Sequence, residues 1–151
     1  MLSIRTRRVA VMLLSLAVTA LLAWWWTRAD ERARFLNEVE EILATANRGE
    51  HVQILEKLSP EARQRIADDF MPPGAALAWV ARIDANQDRA YRLVNLSVFL
   101  PRDYAEIEVE RSGPGREFTG ERIFPVPFVW RNGKWWVAGN FRSEREWAYP
   151  E

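Results

Sequence analysis

Cysteine is absent from the 151 residues, which excludes disulfides, a thiol nucleophile and a zinc–thiolate centre. Histidine occurs once, at His51, and only Lys57 and Lys134 are lysine among 21 basic residues. A positive surplus is missing as well, since 21 basic residues stand against 21 acidic ones. Setting aside Arg5, Arg7 and Arg8, which lead into an apolar run, leaves 18 basic against 21 acidic residues. Nucleic-acid binding needs a basic footprint, so no nucleic-acid partner is expected. No catalytic motif is visible, and neither a metal nor a cofactor is expected.

What the chain does have is one long uncharged stretch. Val9 to Trp26, VAVMLLSLAVTALLAWWW, is eighteen residues without a charge. As a helix it would span roughly 27 Å, at about 1.5 Å per residue, close to the hydrocarbon core of a bilayer. Arginines alone precede it, and mixed charges (Arg28, Asp30, Glu31, Arg32, Arg34) come after it. The positive-inside rule therefore predicts a single-pass anchor in a bacterial inner membrane, residues 1–8 cytoplasmic and the remainder periplasmic. Trp24, Trp25 and Trp26 would form the aromatic belt at the outer interface. A cleaved signal peptide is the alternative, but its best processing site, Thr27-Arg28-Ala29, comes directly after three bulky tryptophans.

About 125 residues then remain for one globular domain, enough for a core without staples. Phe35, Leu36, Val39, Ile42, Leu43 and Ala46 recur at helical spacing, with Asn47-Arg48-Gly49 as the stop. A short helix is predicted over Glu50–Leu58. Ser59-Pro60-Glu61 opens a third, which should carry Ile66 and Phe70 inward. Ala75–Ile83 reads as a further short helix. After Asp88 the period drops to two. Arg92 to Leu100 is a strand with Val94, Leu96 and Val98 on one face. Tyr104 to Arg111 is the next, with Ala105, Ile107 and Val109 opposite Glu106, Glu108 and Glu110. Arg116 to Arg131 is a third, and Asn132-Gly133 turns it into a fourth, Lys134 to Phe141. Pro125 and Pro127 remove donors from one edge of the third strand, so a bulge or a free rim is expected there. The fold class is α+β: a transmembrane helix, then three to four helices on a four-stranded antiparallel sheet.

The order of these elements, closing with Phe128-Val129-Trp130-Arg131-Asn132-Gly133-Lys134-Trp135-Trp136-Val137-Ala138-Gly139, resembles the nuclear transport factor 2-like superfamily. The similarity is to small membrane-anchored or exported bacterial members and covers about residues 31–141, within a domain taken as 28–141 and followed by a tail at 142–151. It implies a cone-shaped α+β domain. It says almost nothing about activity, because one fold hosts many functions. Enzymes of that superfamily use a His/Asp or Tyr/Asp constellation inside the cone, and no motif carries those residues onto this chain.

His51 is therefore only a weak catalytic candidate. It comes after Gly49-Glu50 at a helix start, where exposure to solvent is the ordinary outcome. Asp84, Asp88, Asp103 and Tyr104 are explained by turn or cap roles. Glu106, Glu108 and Glu110 form a row on one strand, which suits pairing with Arg116, Arg122 or Arg131 better than a metal cage. Phe124, Phe128, Trp130 and Trp135 either line a pocket for a small apolar ligand or fill the core. Trp135 and Trp136 must face opposite ways, so Trp136, together with Trp147 in the tail, is a candidate contact residue. The function expected on these grounds is non-enzymatic: a membrane-tethered accessory module with a protein partner or a second copy. Ligand binding is the alternative, and a lyase or isomerase using His51 or an aspartate is a more distant one.

Overall fold

The computed structural model describes residues 4–113 and 123–139, with side chains of the first helix described from Leu13 onward. The chain divides into two compact units, Met1–Phe35 and Leu36–Glu151.

The first unit is helical. Its helix, α1, runs from Ile4 to Asn47 and so extends into the second unit. Nothing between Trp26 and Asn47 is glycine or proline, which leaves no local reason to break it. From Leu13 to Trp26 every residue is exposed. The expected transmembrane anchor is not supported: among the described residues no helix is long and apolar enough to cross a membrane. The physical reason is length: the described side chains of the run, Leu13 to Trp26, make fourteen uncharged residues against the about 20 that a span needs, and Arg28 and Asp30 come at once behind them.

In the second unit the last turns of α1 precede a 3-10 helix at His51–Lys57, then α2 (Pro60–Asp69) and α3 (Pro73–Asn86). Ser59 caps α2, its Oγ accepting from the Ala62 amide at 3.1 Å, with Pro60 at the first position. The inward residue of α2 is Ala62, whereas Ile66 is half-buried and Phe70 is exposed. The helix ends at Asp69, and Phe70 turns out against Trp79 instead of into the core.

Four strands complete the unit: β1 (Ala90–Leu100), β2 (Tyr104–Ser112), β3 (Ile123–Arg131) and β4 (Lys134–Val137). They form an antiparallel meander in chain order. Asn132 and Gly133 both take positive φ, 53° and 80°, as the tight hairpin turn requires. Residues 114–122, which hold Arg116 and Arg122, lie outside the described residues. The β2 alternation is as expected, with Ala105, Ile107 and Val109 buried.

β1 departs from strict alternation. Register shifts lie between Leu93 and Asn95 and between Leu96 and Val98. Each bulge flips the parity of the strand beyond it, so the residues opposite Val109, Ile107 and Ala105 are Leu93, Leu96 and Phe99. Val94 and Val98 are exposed. Pro125 and Pro127 produce a free rim and no bulge. The Ala138 amide donates to Pro127 O at 2.9 Å, so the proline nitrogens face the β4 side, where the ladder stops at Val137. This missing pairing also accounts for a β4 shorter than the expected Lys134–Phe141, whose last two residues lie outside the described ones.

The core of this unit collects Val39, Leu58, Ala62, Ala76, Leu77, Val80 and the inner sheet face, Ala105, Ile107, Val109, Val126, Phe128, Trp135 and Val137. A parallel bridge between Leu58 and Val137, with the Ser59 amide on Val137 O at 2.9 Å, closes the β4 edge.

Candidate functional site

The polar residues that the fold brings together centre on Asp84, in the last turn of α3. His51 opens the 3-10 helix, and Tyr91 and Arg89 lie at the start of β1. The 3-10 helix packs on α3, and a tight turn through Asp88 (φ 47°) sends the chain from α3 into β1. Gly113, at the end of β2, lies close to this turn: a Cβ there would meet Asp88 O and Gln87 O at 3.0 Å and Arg89 Cα at 3.2 Å.

His51 and Asp84 are only 4% and 5% exposed. His51 Nε2 lies 2.8 Å from Asp84 Oδ2, and the Tyr91 hydroxyl donates to the same oxygen at 2.7 Å. Arg89 Nη1 stands 3.5 Å from the other oxygen, Oδ1. An ionised carboxylate can only accept, so in that pair Nε2 is the donor. Among the described residues Nδ1 has no hydrogen-bond partner. Burial pushes the Tyr91 phenol well above its usual range, and the charge and hydrogen bond of Asp84 add to the shift. Burial and the charge of Arg111 lower Arg89, while Asp84 opposes the change. A carboxylate that orients an imidazole is an arrangement used in proton transfer. The same contacts also tie three elements of chain into one buried polar cluster.

His51 is thus buried, contrary to the exposure expected from its place after Gly49-Glu50. The turn at Asn47–Glu50 is closed by backbone bonds from Gly49 N to Ala46 O and from Glu50 N to Thr45 O. The burial of His51 depends on Asp84, 33 residues away, and no local pattern reports such a partner.

The aromatic candidates separate. Phe128 and Trp135 are core, 2% and 6% exposed. Trp130 meets Trp135 edge-on at 5.4 Å between centroids, and Phe99 lies 6.0 Å from Trp135. Phe124 stands apart, edge-on to Tyr91 at 6.4 Å. Trp136 points to the opposite face of the sheet, half-buried, its Nε1 donating to Arg131 O at 3.1 Å. Trp147 lies outside the described residues. Glu110 pairs with Arg92, Glu106 accepts from Tyr104 and Ser97, and Arg131 pairs with Glu61 of α2. Asp103 serves the turn before β2, its carbonyl accepting from the Trp130 amide at 2.9 Å.

No family model, curated protein or solved structure matches this chain.

The remaining candidate surface is on α1. Leu13, Leu14, Leu16, Val18, Leu21, Leu22, Trp24, Trp25 and Trp26 are each between 49% and 70% exposed. Successive positions of a helix point around its whole circumference, so this segment is apolar on every side. Thr19 and Thr27 turn their hydroxyls back to Ser15 O and Ala23 O, which leaves their methyl groups outward. Arg28 lies 4.0 Å over the Trp24 ring.

Proposed function

We propose that the protein is a non-enzymatic interaction module, an accessory subunit of an envelope or membrane-protein assembly. The observation that carries this reading is the exposed apolar length of α1, Leu13 to Trp26. A helix that is apolar all round is normally buried, and an exposed patch of this extent marks an interaction site. The occupant proposed is protein: apolar helices of the assembly that receives it. The periplasmic face of a bacterial inner membrane is its proposed place of work. Kinship with the nuclear transport factor 2-like superfamily belongs to the same proposal and rests on the closing hairpin and the element order.

The test replaces Leu14, Leu21 and Trp25 together by serine in the full chain and measures particle mass by light scattering. The expected result is a wild-type chain in multi-chain or mixed particles and a variant that is a monodisperse monomer. A wild-type chain that is already a soluble monomer would overturn the reading.

A second reading rests on the Asp84–His51 pair, which supplies an oriented imidazole for a lyase or isomerase. It requires Nδ1 to be reachable. Fast acylation of His51 by diethyl pyrocarbonate in the folded protein supports it, and protection until unfolding removes it.

A further inference from the structure

The face of the sheet that carries Trp136 has a pattern of its own. Register places Leu100, Tyr104, Val129 and Trp136 in one row across all four strands. Val98, Glu106 and Pro127 form the next row, and Asn95, Glu108 and Pro125 the one after it. None of these residues is buried, and Leu100 is half exposed at 50%. The core lies entirely on the other face.

Among the described residues, the charges on this face are unbalanced at its centre. Glu110 is matched by Arg92 at one corner, and Lys134 lies 3.7 Å over the Trp136 ring at the opposite one. Between them the Glu106 carboxylate accepts from the Tyr104 hydroxyl at 2.9 Å, and the Ser97 hydroxyl lies nearer the Glu106 carbonyl oxygen, at 2.9 Å, than the carboxylate, at 3.3 Å. Among the described residues no cation pairs with Glu106 or Glu108. An apolar strip thus runs beside two carboxylates that no cation among the described residues pairs.

We infer that this face docks an amphipathic helix of a partner protein, one whose apolar stripe is flanked by lysine or arginine. Laid across the strands, its apolar stripe covers Leu100, Tyr104, Val129 and Trp136, and its basic flank meets Glu106 and Glu108. The dimensions agree. Three inter-strand spacings of about 4.8 Å make roughly 14 Å, the length of about ten helical residues. Charge complementarity sets orientation and rejects acidic helices. This surface is built from residues other than the apolar length of α1, so either proposal can fail while the other stands.

The probe is a labelled lysine/leucine amphipathic peptide of about 18 residues, titrated onto the full chain by fluorescence anisotropy beside its glutamate/leucine counterpart. The expected result is saturable binding of the basic peptide only, weakened by added salt. Glu108→Lys and Leu100→Asp should each raise Kd about tenfold or more, while Leu21→Ser on α1 leaves it unchanged. Both sheet substitutions are at positions that are not buried and leave the core intact. Equal affinity for the acidic peptide, no binding at all, or binding indifferent to Glu108→Lys and Leu100→Asp would overturn the inference.

Discussion

Asn47 acts as a one-residue strand for Tyr91: its Nδ2 donates to Tyr91 O at 2.9 Å, and its Oδ1 accepts from Tyr91 N at 2.7 Å. The amide thus satisfies both outward-facing backbone groups at the start of β1, an edge otherwise open to pairing. Asn47→Ala should cost about 1–2 kcal/mol in urea unfolding and speed hydrogen exchange at the Tyr91 amide. Asn47→Asp, which keeps the acceptor and loses the donor, should fall between. Unchanged exchange at Tyr91 would show that the contact does not hold the edge.

Asp84 should be the most sensitive polar position. Asp84→Ala leaves the buried donors of His51 and Tyr91 without their acceptor, at about 1–3 kcal/mol for each unsatisfied group. Asp84→Asn should cost less, because the amide oxygen still accepts. A thermal melt showing no difference between wild type and Asp84→Ala would contradict the burial of this cluster.

The Tyr91 phenol is raised by burial and by Asp84, whereas an unfolded tyrosine ionises near pH ~10. Above that pH the unfolded chain has released a proton that the folded chain keeps, so stability falls as pH rises. The contribution is fully present below the unfolded value. Tyr91→Phe should be less stable at neutral pH and lose less stability from pH ~8 to ~11. Parallel alkaline slopes for the two proteins would refute the assignment.

Adjacent tryptophans should behave differently. Trp135→Ala empties a core position and should cost about 3–5 kcal/mol, while Trp136→Ala, on the opposite face, should cost about 1 kcal/mol or less. Gly113→Ala should also destabilise, by about 1–3 kcal/mol. Its new Cβ would press on backbone atoms of Gln87, Asp88 and Arg89, which cannot swing away. Denaturant midpoints measure all three.

The parts of the fold readable from sequence are those with local causes. Asn132-Gly133 demands its own turn, Ser59-Pro60 its own helix start, and Ala105, Ile107 and Val109 alternate because β2 has one buried face. What was not readable depends on partners distant in the chain. The β1 bulges exist only against β2, so nothing in Leu93–Val98 announces that Leu96 turns inward and Val98 outward. His51 looked solvated because its neighbours are polar, and Asp84 reverses that from another helix. The apolar run was legible as unusual, and of it the described stretch Leu13 to Trp26 is by itself too short to span a hydrocarbon core. The opposed faces of Trp135 and Trp136 follow from alternation and were legible outright.

The proposed function stands or falls on protein covering α1 between Leu13 and Trp26. Photo-crosslinking decides it: a photoreactive amino acid at Leu21 in the full chain, with Asp68 on α2 as the control, is irradiated in intact cells. A discrete protein adduct is predicted from position 21, absent from position 68 and lost when Leu14 and Trp25 are serine. Adducts to lipid alone, or none from position 21, would contradict it.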